Sequence, residues 1–129
     1  ACGVGVLQAV RAAEVLEGQG ISARVINMHT IKPIDKDIII QAVKETPRIV
    51  TIEDHSIIGG LGSAVGEVIV ESGKACGFRR LGVPDAYVIV GYPEDLYHHY
   101  KFDADGIVES VSEIMRLEIE EDEDWEDEA

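Results

Sequence analysis

The segment Arg48-Ile49-Val50-Thr51-Ile52 runs directly into Glu53-Asp54-His55-Ser56-Ile57-Ile58 and then Gly59-Gly60-Leu61-Gly62. A short apolar run rich in β-branched residues reads as a buried strand. The charges mark its end, and the glycines open a helical pattern whose apolar positions are Leu61, Ala64, Val65, Val68 and Ile69. Strand, polar loop and glycine-rich helix start form one βα unit. In α/β proteins the loop beyond a strand's carboxyl end is where binding groups gather.

The flanking sequence repeats that alternation. Cys2-Gly3-Val4-Gly5 reads as a turn feeding a helix with an apolar face of Val6, Leu7, Val10, Ala13, Val15 and Leu16, ended by Gly18-Gln19-Gly20. Residues 21–28 read as a strand centred on Val25-Ile26, and Pro33 excludes a continuing central strand. Asp35 is placed to cap a helix over 36–45, with Ile38, Ile39, Ala42 and Val43 facing inward and Asp37 in the first turn, where the helix dipole favours it. Gly73 is a stop for the helix after Gly60. Residues 78–81 read as a short strand, 87–90 as a short edge strand or an extended apolar loop, and 93–100 as a short helix. Asp103 can cap a last helix whose inner face is Ile107, Val108, Val111, Ile114, Met115 and Leu117.

This order predicts an α/β domain with crossover connections. Hydrophobic residues make up 46% and aromatics only 5%, so the core must be built from Val, Ile, Leu and Ala, as suits a parallel sheet covered by helices on both faces. The series opens on a helix, with only Ala1-Cys2 ahead of it. The expectation is a chain that begins inside a larger protein or beside a partner that completes the sheet. It carries an apolar sheet edge prone to self-association.

The formal net charge is -14. Residues 118–129 hold nine acidic and no basic residues, leaving 16 acidic against 11 basic in the body. The expectation is a domain over 1–117 and a disordered, solubilising acidic tail over 118–129, with Trp125 the anchor of an alternative partner hook. A surface of this sign disfavours nucleic acid and anionic lipid as partners. No run of 18 apolar residues suggests a membrane span, and Ala1-Cys2-Gly3-Val4-Gly5-Val6 lacks the basic region and long apolar run of a secretory signal. Cys2 and Cys76 make no CxxC or metal-ligand spacing and read as thiols in a reducing, cytoplasmic compartment.

Four segments in order carry a family resemblance: Cys2-Gly3 before a helix with Arg11-Ala12-Ala13-Glu14; Met28-His29-Thr30-Ile31-Lys32-Pro33-Ile34-Asp35; Val50-Thr51-Ile52-Glu53-Asp54-His55-Ser56-Ile57-Ile58-Gly59-Gly60-Leu61-Gly62; and Leu81-Gly82-Val83-Pro84-Asp85. The closing Phe102-Asp103-Ala104-Asp105-Gly106-Ile107 also fits. Residues 1–117 thus resemble the C-terminal domain of transketolase-type, thiamine-diphosphate-dependent enzymes. That group includes transketolase, 1-deoxy-xylulose-5-phosphate synthase and the β subunits of 2-oxoacid dehydrogenases. The resemblance implies a three-layer αβα sandwich around a mixed, mostly parallel sheet, here short of its first strand or strands. It implies thiamine diphosphate and Mg2+ in the complete enzyme, held by upstream catalytic domains or a separate subunit, in a homodimer of the full protein. No segment matches the family's diphosphate motif, so no catalytic, cofactor-binding or metal-binding residue is expected in this chain.

The polar residues fit that expectation. His55 beside Asp54 could shuttle a proton or hold a substrate oxygen, but it equally suits a loop histidine bonded to a backbone carbonyl. Glu53 and Asp54, being adjacent on a strand, should diverge. Gly59-Gly60-Leu61-Gly62 matches neither GxxxxGK[ST] nor GxGxxG and follows acids that repel phosphate, so tight turning and close packing are expected. His29 is expected near the same crevice as His55 in a structural role. His98 and His99 cannot share one helix face, and Tyr97 and Tyr100 are spaced to pack together. Three functional readings follow. The first is the C-terminal assembly domain of a transketolase, supporting transfer of a two-carbon ketol unit between sugar phosphates. The second is the same domain in the synthase or the 2-oxoacid dehydrogenase subunit. The third is a non-catalytic binding or interaction domain.

Overall fold

The computed structural model describes residues 1–117. Its elements are α1 (Gly5–Gly18), α2 (Lys36–Glu45), β1 (Arg48–Ser56), α3 (Leu61–Ser72), β2 (Gly77–Val83), α4 (Pro93–His99) and α5 (Ala104–Ile114). The acidic tail over 118–129 and Trp125 lie outside the described residues.

β1 and β2 pair in parallel, with Arg48 opposite Gly77 and Ile52 opposite Leu81, and an irregularity before Ser56 meets Val83. A parallel pair needs a crossover, and α3 supplies it. Side chains of a strand alternate between faces, and here each face meets its own helical layer. Ile49 and Phe78 pack with Ile39, Val43, Leu61, Val65, Val68 and Ile69 of α2 and α3. Val50, Ile52 and Leu81 pack with Ala9, Ala12, Phe102 and Ile107 of the α1 and α5 side. The result is the expected αβα sandwich.

Caps close the helices. Asp35 accepts from the Ile38 N–H at 3.2 Å, Asp103 accepts from the Gly106 N–H at 2.9 Å, and Gly73 ends α3 at φ 71°. At the other end of α5, Arg48 donates to the carbonyls of Ile114 and Leu117 at 3.2 and 3.0 Å, placing a cation where the helix dipole is negative.

Several elements depart from the sequence reading. Residues 21–28 belong to no sheet; the backbone of Ile26 and Met28 is bonded to Ala1 rather than to a neighbouring strand. Residues 87–90, read as either an edge strand or an extended apolar loop, form an exposed loop. The inner face of α1 is Gly5, Ala9, Ala12 and Leu16, while Leu7, Val10 and Val15 stand about half exposed. Small residues win that face because α1 lies close on the sheet: a Cβ on Gly5 would sit 2.9 Å from the Ile52 carbonyl oxygen. Met115 and Leu117 fall beyond α5 and are partly exposed.

Glycines divide into those that must be glycine and those that need not be. A Cβ on Gly106 would overlap the backbone of Lys101, whereas one on Gly18 meets nothing within 4 Å. Gly106→Ala is expected to lose about 1–3 kcal/mol through forced overpacking. Gly18→Ala should hold or gain up to about 1 kcal/mol from helix propensity. Urea unfolding of the two variants beside the parent chain checks both signs.

Candidate functional site

The charged end of β1 faces the start of α3. Glu53 lies on the same strand face as Ile49 and Thr51 and is 1% exposed. Its two carboxylate oxygens accept from the N–H groups of Leu61 and Gly62, each at 2.8 Å. Those are orphan donors of the first turn of α3, at the positive end of the helix dipole. An internal carboxylate therefore occupies the position where a glycine-rich helix start would otherwise receive an external anion.

The glycines make this geometry fit. A Cβ on Gly60 would overlap the Glu53 carboxylate, and one on Gly62 would fall 2.7 Å from both Thr51 Oγ1 and Arg80 Cγ. On β2, a Cβ on Gly82 would sit 2.9 Å from the Glu53 carbonyl oxygen and 2.8 Å from that of His55. Gly59 has φ 76°, a turn conformation that favours glycine. Ser63 ties the turn from the helix side: its Oγ accepts from the Gly59 N–H at 2.9 Å and donates to the Ile57 carbonyl at 3.3 Å. Arg80 also donates to that carbonyl at 2.8 Å.

The neighbouring polar residues diverge. Asp54 points to the opposite side, where it accepts from the Tyr97 hydroxyl at 2.9 Å. Lost hydration and this bond to a carboxylate both hold the Tyr97 phenol above its usual pKa. His55 is largely exposed; its Nδ1 donates to the Ser56 carbonyl at 2.8 Å and lies 3.5 Å from Glu53 Oε1. His29 is 2.6 Å from Thr30 Oγ1 and lines a separate hollow with Asn27, Pro33 and Asp35, of which His55 is not a part. The ring partner of Tyr97 is Phe102, with centroids 4.9 Å apart, rather than Tyr100, which meets His99 edge-on. Cys2 and Cys76 are free thiols, half-buried, and burial raises the pKa of each.

Among the described residues, one group of histidine and acids brings ligand atoms together: His98, Asp103 and Asp105 at the surface. Both Asp103 oxygens are already engaged. Oδ1 caps α5, and Oδ2 bonds His98 Nδ1 at 2.8 Å. The sequence reading missed this pairing, although a histidine five residues before an N-cap aspartate was visible. The bond to Asp103 and the Asp103 charge raise the His98 pKa.

The chain contains no helix long and apolar enough to cross a membrane among the described residues. Residues 1–107 match the family model described as the transketolase C-terminal domain, and the chain belongs to that family. It is 43% identical over 118 residues to a protein of Methanocaldococcus jannaschii described as a transketolase C-terminal section, covering 92% of this chain and 36% of that protein. It is 42% identical to 1-deoxy-D-xylulose-5-phosphate synthase of Heliobacterium modesticaldum over 106 residues, which is 82% of this chain and 16% of the synthase. A solved structure described as a split gene transketolase, inactive beta4 tetramer, superposes with a TM-score of 0.84 at 37% identity. That match covers 90% of this chain and 38% of that one. The chain thus spans little more than a third, or less, of the length of these relatives.

Two measurements probe the site. Glu53→Ala leaves two buried helix N–H groups without partners and is expected to cost about 3 kcal/mol in urea unfolding, given about 1.5–3 kcal/mol for each hydrogen bond to a charged group. Asp103→Asn should keep the α5 cap, since Asn caps as well as Asp, and should lower the His98 pKa toward its ordinary value, read from the imidazole NMR titration. Raised pKa means that this pair's contribution to stability is present at low pH, below the unfolded histidine pKa. It is lost as pH rises through the folded value, and Asp103→Asn should flatten that dependence.

Proposed function

We propose that this chain is the C-terminal assembly domain of a transketolase, and that it supports transfer of a two-carbon ketol unit between sugar phosphates without holding the cofactor itself. The observation that carries the reading is the filled start of α3 within a domain of this family. The glycine-rich start of α3 is taken by Glu53 and flanked by Asp54, an arrangement unsuited to a diphosphate. Thiamine diphosphate and Mg2+ are then bound by other domains, fused upstream or carried on a separate subunit, and the cofactor supplies the carbanion chemistry.

An exposed apolar strip supports the assembly role. Tyr87, Val88, Ile89, Val90 and Tyr92 all lie open ahead of α4, with Tyr87 and Val90 fully exposed. A contiguous patch of this kind marks an interaction surface. We place the complete enzyme in the cytoplasm as a dimer of the full protein, a reading that the free thiols suit. The likeness to 1-deoxy-D-xylulose-5-phosphate synthase favours, as a second reading, the same domain role in an enzyme that uses the same cofactor on pyruvate or another 2-oxoacid.

The test is native purification from the source followed by intact mass and assay. The domain should be found with the thiamine-binding domains, fused or co-purifying. That assembly should transfer a ketol unit between sugar phosphates when given thiamine diphosphate and Mg2+. A native species that consists of a lone 14.0 kDa chain would overturn the reading. An assembly that condenses pyruvate and not ketose phosphates would replace the first reading with the second.

A further inference from the structure

The amino ends of β1 and β2 lie side by side, with Arg48 opposite Gly77. α5 finishes at the same end, since the Arg48 guanidinium reaches the carbonyls of Ile114 and Leu117. Cations gather there. Lys44 stands in the last turn of α2, and Arg116 precedes Leu117. Lys74 comes just before Gly77, whose N–H donates to the Pro47 carbonyl at 2.9 Å. Arg79 alternates with Phe78, which packs on the α2 and α3 side, so Arg79 stands on the α5 side of β2. Arg79 and Arg116 are exposed and Lys74 is half-buried.

These charges are not cancelled locally. Among the described residues the lysine and arginine ion pairs are Arg24–Glu45 and Lys101–Glu109, so Lys74, Arg79 and Arg116 have no carboxylate partner. Glu17, Glu71 and Glu113 share this end without pairing to them, and a positive excess remains. The carboxyl end of the sheet has the opposite sign. Asp54 lies near the end of β1, while Asp37, Glu94, Asp95 and Asp105 crowd the first turns of α2, α4 and α5. An anionic segment is therefore repelled from the carboxyl end and drawn to the amino end. Partly exposed Met115 and Leu117 add an apolar shelf beside the cations.

We propose that this basic end is a docking surface for the chain's own residues 118–129. That segment carries nine acidic and no basic residues and the chain's single tryptophan, Trp125. It departs from Leu117, which Arg48 fixes at the amino end of β1. Its carboxylates lie on Lys74, Arg79 and Arg116, and the Trp125 ring lies on Met115 and Leu117, where a methionine sulfur suits an aromatic partner. The link from Leu117 to Trp125 spans at most about 26–29 Å when extended, ample for turning back onto the end of α5. Docking in this way closes the basic end to other anions. It leaves the carboxyl end, with the apolar strip over 87–92, as the open face of the domain.

Trp125 is the reporter for the test, made on the full 129-residue chain. At low salt, acrylamide should quench its fluorescence about threefold less readily than that of a synthetic peptide of residues 118–129, and 1 M NaCl, where the Debye length is about 3 Å, should remove most of that protection. Lys74→Gln combined with Arg79→Gln should remove it at low salt. Lys32→Gln combined with Lys36→Gln, the same charge change at the carboxyl end, should leave it intact. Protection should not vary with protein concentration. Quenching equal to that of the peptide at low salt would overturn the proposal. So would protection that persists in 1 M NaCl, or equal loss in both folded double variants. Protection that disappears on dilution would place the segment on a second copy and overturn docking within one chain. The salt series on the parent chain decides the matter even where a variant fails to fold.

Discussion

The Glu53 carboxylate on the first turn of α3 is the interaction on which the rest of the domain depends. Burying a carboxylate costs several kcal/mol unless its oxygens are matched, and here both are, by the N–H groups of Leu61 and Gly62. The pairing fixes where the chain leaves β1 and where α3 begins. It also sets which residues can surround it: Gly60 beside the carboxylate, Gly62 against Thr51 and Arg80, and Gly82 across on β2. A bulkier residue at Gly60 or Gly62 would push α3 off the sheet, and with it Leu61, Val65 and Val68 of the larger core cluster.

The same interaction decides the chemistry of the β1 carboxyl end. A helix start that already holds a negative charge has little attraction left for a phosphate. Asp54 is turned away to Tyr97, and His55 rests on its own backbone neighbour. The polar groups of the loop are thus engaged in holding the turn and docking α4. This end of the sheet is a joint between layers, consistent with a family domain that spans a minor share of its relatives' length.

Much of this architecture was legible in the sequence, and the exceptions have physical causes. The caps at Asp35 and Asp103, the stop at Gly73 and the inward faces of α2 and α3 followed from local pattern, because each is set by residues within one or two turns. The face of α1 did not, since bulky Val and Leu positions suggested one stripe while close approach to Ile52 selected Gly5, Ala9 and Ala12. Residues 21–28 had the composition of a strand, but a strand exists only with a ladder partner, and Ala1 alone supplies one. At the site, the divergence of Glu53 and Asp54 was readable from strand alternation. That Glu53 would reach across to cap α3 was not, because it depends on the seven residues between Glu53 and Leu61 folding back. The Asp54–Tyr97 bond spans 43 residues and left no local mark.

The central claim is that this domain belongs to a thiamine-dependent family yet holds no cofactor through its own residues. Isothermal titration of the isolated chain with thiamine diphosphate and Mg2+ tests it most directly. The account predicts no saturable heat up to millimolar cofactor. Stoichiometric, Mg2+-dependent binding would contradict it, and would require an anion site other than the start of α3 that Glu53 fills.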